Sequence, residues 1–142
     1  VEWTGIGFLS IDKTAPGQGL ALGRKLATLV PITKTLIVVD KDVDVLNRTE
    51  VMQAVGARWQ PYPAAEIIKE ARGMPLDPSA PKRPMSSKIV IDATRQWPEE
   101  GGPAVYPERN RDLLNKLAPE AKKLVDARWE EYMRGWKRDR GW

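Results

Sequence analysis

The apolar positions of this chain change period several times, and each change predicts an element. Gly5 to Ile11 is a short, mostly apolar run ended by Asp12-Lys13 and then Pro16-Gly17, as expected of a strand followed by a turn. Leu20, Leu22, Leu26 and Leu29, with Ala21 and Ala27 beside them, recur near helical spacing until Pro31 stops the pattern, and predict a helix. Thr35-Leu36-Ile37-Val38-Val39 is continuously apolar and rich in β-branched residues, and it ends at Asp40. That is the signature of a strand buried on both faces of a sheet. Asn47, with Glu50 three residues on, has the form of a capping box ahead of Val51, Met52, Val55 and Trp59. A second helix is predicted from there to just before Pro61.

Ala64 to Arg72, carrying Ile67, Ile68 and Ala71, predicts a short amphipathic helical piece closed by Gly73. Gly73 to Arg83 holds Leu76-Asp77-Pro78-Ser79-Ala80-Pro81 and predicts a loop long enough to carry a function. Lys88 to Ala93 predicts a third strand, and Pro98 to Pro107, with Gly101-Gly102-Pro103, an irregular stretch. Leu113, Leu117, Ala121, Leu124, Tyr132 and Trp136 predict a long helix from about Arg109 to Lys137, in which Pro119 starts a second segment or makes a kink. Strands alternating with helices predict a three-layer α/β unit with a largely parallel sheet over residues 1–107. The helix and basic tail of 108–142 follow it and suit assembly contacts.

Composition removes several kinds of chemistry. With no His and no Cys, imidazole bases, thiolate nucleophiles and the usual zinc or copper ligand sets are excluded, so proton transfer must use Asp, Glu, Lys, Tyr or water. The lack of Cys agrees with a reducing, cytoplasmic compartment. No apolar run approaches the roughly 20 residues needed to cross a bilayer. The net charge of +4 invites a polyanion partner, yet the basic residues are spread out and densest at Arg134, Lys137, Arg138 and Arg140. A solvated helix end explains that cluster, and no nucleic-acid module is expected. Val1-Glu2-Trp3 has no Met, basic n-region or apolar signal core, and reads as an internal start.

Few residues remain as candidates for chemistry. Asp40, Asp42 and Asp44 resemble the start of a calcium loop, but Val45 stands where that loop needs Gly and Met52 lies near where it needs Glu. Turn formation and loop capping are expected of them instead. Pro16-Gly17-Gln18-Gly19 with Gly23 is a weak match to a phosphate loop and an ordinary one to a turn entering a helix. Glu99-Glu100 and Glu130-Glu131 are expected on solvated faces, and Trp59, Trp97, Trp129 and Trp136 as core or interface anchors. Lys88 stands out in Ser86-Ser87-Lys88-Ile89-Val90-Ile91-Asp92-Ala93-Thr94. An ammonium on a strand is costly to bury unpaired, so it pairs with an acid such as Asp92, reaches water, or meets a phosphate or carboxylate ligand.

Several segments in fixed order resemble the C-terminal domain of the UbiD-like family of reversible decarboxylases. They are Ser10-Ile11-Asp12-Lys13 with Pro16-Gly17-Gln18; Lys34 to Val45; Glu50-Val51 through Ala57-Arg58-Trp59-Gln60-Pro61; Leu76-Asp77-Pro78; and Ser87 to Thr94 with Trp97-Pro98. The resemblance covers roughly residues 4–105, and the trailing helix in general form. It implies an α/β domain that closes over prenylated FMN held mostly by an N-terminal flavin-binding domain of split-barrel type. It further implies an acid/base Glu-Arg-Glu network, with divalent metal and potassium, in that other part. None of those motifs occurs here, so no catalytic residue and no metal ligand is expected in this chain. The implied activity is (de)carboxylation of aromatic or α,β-unsaturated acids, in a homo- or hetero-oligomer with a larger flavin-bearing chain and without activity alone. The resemblance makes Lys88 a cofactor contact and Ile91 and Thr94 walls of the substrate pocket. The alternative is a non-catalytic scaffold of the same fold, binding through Trp129, Tyr132 and Trp136.

Overall fold

The computed structural model describes residues 5–108 and 110–134. Two compact units are present, Val1–Ala104 and Val105–Trp142. The first carries strands β1 (Ile6–Ile11), β2 (Thr35–Asp40), β3 (Ala65–Arg72) and β4 (Met85–Asp92), with helices α1 (Gln18–Leu29) and α2 (Arg48–Arg58) and a 3-10 turn at Pro98–Glu100. The sheet order is β1-β2-β4-β3. β1, β2 and β4 run parallel, and β3 lies antiparallel to β4 at one edge.

The two sheet faces are covered by different helices, which makes the three layers. On one face Leu36, Val38 and Val90 pack with Ile11 and with Ala27 of α1. On the other, Ile37, Val39 and Ala93 pack with Val43 and with Val51 and Ala54 of α2. The alternation within β2 explains its continuous apolar run, because both of its faces are core. Asn47 caps α2 as expected, its Oδ1 accepting from the amides of Thr49 (3.1 Å) and Glu50 (3.4 Å).

Residues Ala64 to Arg72 do not form the predicted helical piece; Ala65–Arg72 is strand β3. Ile68 lies opposite Lys88 and Ala71 opposite Ser86, so three residues of β3 match two of β4. The extra residue is a bulge, with Glu70 at φ 52°. It brings Ile68 and Ala71 to the same face at a spacing of three, which imitates a helix in the sequence.

The Pro-rich loop between β3 and β4 is fixed rather than free. Asp77 is buried and pairs with Lys34 Nζ at 3.0 Å, while the Ser79 amide donates to Asp77 Oδ1 at 2.9 Å. Lys34 immediately precedes β2, so the loop is tied to the end of the sheet where the parallel strands begin.

The second unit holds α3 (Asn110–Leu117), α4 (Pro119–Ala127) and α5 (Trp129–Tyr132) in place of the predicted long helix. Ala118, at φ −145° and ψ 55°, leaves helical geometry, and Pro119 restarts the chain at a first-turn position where its missing N–H does no harm. Trp136, Lys137, Arg138 and Arg140, and with them the predicted helix end, lie outside the described residues. Among the described residues no helix is long and apolar enough to cross a membrane.

Candidate functional site

Helix α1 lies along β4, and three small residues set how closely. Gly19, Gly23 and Ala27 are all buried, at a spacing of four that keeps them on one side of the helix. A methyl on Gly23 would strike Val90 Cγ1 and come within 3.1 Å of Val38 Cγ2, and one on Gly19 would overlap the Asp92 carboxylate. Glycine at positions 19 and 23 serves the close approach of α1 to β4.

The same alignment explains the spacing of Lys88 and Asp92. Lys88, Val90 and Asp92 alternate on the α1 face of β4, and four strand residues span about 13 Å while the eight helical residues from Gly19 to Ala27 span about 12 Å. Asp92 therefore meets the first turn of α1 and Lys88 its last. The Lys88 ammonium donates to the carbonyls of Ala27 (2.6 Å), Val30 (3.0 Å) and Pro31 (3.3 Å). Three donors meet three carbonyls at and just beyond a helix C-terminus, the end where a cation is favoured, and the Val30 carbonyl also accepts from the Thr33 amide at 3.2 Å. Lys88 is 2% exposed, and burial lowers its pKa. The resemblance implies a cofactor contact for Lys88, and within this chain its ammonium is held by these three carbonyls. It does not pair with Asp92, which sits at the other end of the same helix.

The opposite edge, beyond the C-terminal ends of β1, β2 and β4, is where open α/β sheets hold ligands. The Lys13 side chain is buried there, its Nζ 3.1 Å from Thr94 Oγ1, 3.0 Å from the Arg95 carbonyl and 2.5 Å from Glu100 Oε2. Glu100 Oε1 accepts from the Gly17 amide at 2.6 Å, and Oε2 from the Trp97 amide at 2.7 Å. Gly17, at φ 72°, is the residue from which α1 starts. The Lys13 ammonium also lies 5.8 Å from the centre of the Trp97 ring. Burial alone would raise the Glu100 pKa, but the Lys13 hydrogen bond and the Trp97 and Gly17 amides outweigh it and hold the carboxyl below its ordinary range. Glu100 is thus not on a solvated face, as its neighbour Glu99 is.

Thr94 and Ile91 sit apart. Thr94 is fully buried, and its hydroxyl lies 2.6 Å from Asp92 Oδ1, which also accepts the Thr94 amide at 3.0 Å. Asp92 Oδ2 is buried against α1 without a hydrogen-bond partner. Ile91 is half-buried on the other sheet face, against the α2 cluster.

A second cluster braces this edge. Arg58, at the end of α2, reaches Asp40 Oδ2 at 2.7 Å and Asp42 Oδ1 at 3.1 Å, while Arg95 reaches Asp40 at 3.3 Å and Asp42 at 2.7 Å. Burial opposes the charge on Asp42, yet hydrogen bonds from Arg95 and Arg58 drive its pKa far down. Two guanidinium groups occupy the carboxylates that opened the calcium-loop comparison. No group of three or more acidic side chains among the described residues has the arrangement of a metal site.

The sequence patterns do not single out Lys13, Arg58 or Arg95, and they place Glu100 on a solvated face. Lys13 and Glu100 are 87 residues apart, and no local period reports such a pair. The available signal was positional: Lys13, Arg58 and Arg95 each stand at the end of a predicted element, next to a turn.

The C-terminal domain model of 3-octaprenyl-4-hydroxybenzoate carboxy-lyase, UbiD, matches residues 1–93. A phenolic acid decarboxylase of Sedimentibacter hydroxybenzoicus is 41% identical over 104 residues, covering 70% of this chain and 22% of its own. Among solved structures, vanillic acid decarboxylase of the same organism in closed form superposes with a TM-score of 0.65 at 32% identity, over 83% of this chain and 26% of that one. The UbiD-class enzyme HmfF of Pelotomaculum thermopropionicum, in complex with FMN, gives 0.62 at 28% identity, over 80% and 25%. The chain spans about a quarter of the length of the relatives it matches. With the sheet, the helix-bound motif of β4 and the family model in agreement, the chain belongs to the UbiD carboxy-lyase family and corresponds to its C-terminal domain.

Proposed function

We propose that this chain is the C-terminal component of a prenylated-FMN-dependent carboxy-lyase that acts on an aromatic or α,β-unsaturated carboxylic acid. It works with a larger flavin-binding part, in an oligomer in the cytoplasm, and is inactive alone. The relatives that support this are a phenolic acid decarboxylase and a UbiD-class enzyme complexed with FMN, each roughly three times the length of this chain. The acid/base groups, divalent metal and potassium belong to the larger part.

The observation that carries the proposal is the buried Lys13 side chain at the C-terminal edge of the parallel strands, beside the start of α1. Its ammonium and the Gly17 and Trp97 amides already hold one anion, the Glu100 carboxylate. A phosphate oxygen would take these donors in place of the Glu100 carboxylate, and that exchange is the proposed way the set meets the phosphate end of a flavin. When bound, the modified flavin supplies the electron sink for loss of carbon dioxide. This chain's own residues place positive charge at the anionic end through Lys13, with the Trp97 ring beside its ammonium.

The test is reconstitution. Combined with the flavin-binding part, the chain should support carbon dioxide release from a phenolic acid, and Lys13→Met should weaken FMN binding to that assembly. Decarboxylation by the chain alone, or association without activity, would overturn the proposal, the latter in favour of a scaffold.

A further inference from the structure

We infer that Thr94 is a positioning residue for Lys13, set in its polarity by Asp92, and that it does not touch substrate; this rests on the cofactor role proposed for Lys13. A threonine hydroxyl has one proton and two lone pairs. Asp92 Oδ1, 2.6 Å away, accepts from both the Thr94 hydroxyl and the Thr94 amide. The hydroxyl proton therefore goes to Asp92, and the lone pairs face the two donors nearby, Lys13 Nζ at 3.1 Å and Gln96 Nε2 at 3.3 Å.

The consequence is directional. Lys13 has three protons and three acceptors: Thr94 Oγ1, the Arg95 carbonyl and Glu100. Two of these come from the segment just after β4, whose backbone is tied down by the Arg95 amide donating to Asp40 Oδ2 at 2.9 Å. Without the Thr94 lone pair the ammonium keeps Glu100 and one carbonyl but loses the third contact that fixes its rotation, and one N–H is left without an acceptor. Thr94 is wholly buried beneath this group, so a substrate-wall role would require a surface that it does not present.

The test uses the full chain and its assembly with the flavin-binding part, with FMN as the probe. In ammonium-selective 1H–15N spectra of the chain, the Lys13 signal should be protected from exchange in the wild type and in Thr94→Ser, and lost in Thr94→Val. FMN affinity of the assembly should fall about tenfold in Thr94→Val and stay within about twofold in Thr94→Ser, with substrate KM at saturating FMN unchanged. Thr94→Cys, close in shape and weak in hydrogen bonding, replaces Val if that variant does not fold. A protected Lys13 signal and undiminished FMN affinity in Thr94→Val or Thr94→Cys would overturn the inference, as would a change in substrate KM alone. If Lys13→Met leaves FMN affinity unchanged while Thr94→Val frees the ammonium, positioning stands and the cofactor role of Lys13 fails. If Lys13→Met weakens FMN binding and Thr94→Val does not, the cofactor role stands and positioning fails.

Discussion

Replacing Lys88 by Met keeps the length of the side chain and removes its charge and three donors. The carbonyls of Ala27, Val30 and Pro31 then lose a buried partner. A hydrogen bond to a charged group contributes about 1.5–3 kcal/mol and a cation at a partly buried helix end up to about 2 kcal/mol. Opposing this, burial disfavours the ammonium, as its lowered pKa records, and Met relieves that penalty. The net expectation is a loss of about 2–3 kcal/mol. With a urea slope of about 1–2 kcal/mol/M, the unfolding midpoint of the full chain should fall by roughly 1.5 M.

The dependence on pH provides a separate check. Lys88 has a folded pKa below its ordinary 10.5, so between the two values the unfolded chain binds more protons and stability rises with pH. Lys88→Met should lack that alkaline rise. FMN affinity of the assembly should be unaltered in the variant. An unchanged urea midpoint together with weakened FMN binding would refute the helix-end role and restore Lys88 as a cofactor contact.

Other consequences are open to similar measurement. Gly23→Ala should lower stability by about 2–3 kcal/mol in urea unfolding because Val90 and Val38 leave no room for a methyl, whereas Gly56→Ala, with open space around it, should gain about 0.5 kcal/mol. Glu100 and Asp42 have folded pKa values below their ordinary 4.5 and 3.8, so their contribution is complete above those values and is lost as pH falls through the folded ones. Urea midpoints measured from pH 7 down to pH 3 should therefore fall less steeply in Asp42→Asn than in the wild type. Asp77→Ala should release the loop of 73–83 and speed tryptic cleavage after Lys82, and unchanged cleavage would count against the tether to Lys34.

The sequence made the layers legible where one period governs a whole element. β2 was readable because both of its faces are core, and α2 because Asn47 announces it. β3 was not, since its bulge gives Ile68 and Ala71 a helical spacing, and a bulge is fixed by the neighbouring strand rather than by local residues. The site was harder still. Lys88 drew attention because a lysine in an apolar strand is unusual, and its partner proved to be a helix end, which has no letter in the sequence. Lys13 and Glu100 carry ordinary local contexts and gain meaning only when the C-terminal ends of β1 and β4 are brought to one edge of the sheet, on either side of β2.

That junction predicts a difference between two substitutions that local reasoning would rank alike. Gly19 and Gly23 lie one turn apart on α1, and each is filled against by β4. At Gly23 the obstacle is the Val90 side chain, which belongs to the core and to nothing else. At Gly19 it is the Asp92 carboxylate, whose Oδ1 holds the Thr94 amide and hydroxyl. A methyl at Gly19 must push Asp92 or lift the start of α1, and either movement disturbs Thr94, the Gly17 amide and hence Lys13 and Glu100. Gly19→Ala should therefore destabilise the chain by a similar 2–3 kcal/mol and also expose the Lys13 ammonium to exchange, while Gly23→Ala should leave that signal protected. Equal protection in the two variants would separate the packing of α1 from the geometry of the site. Unequal protection would make the first turn of α1 the link through which the fold sets the position of its buried cation.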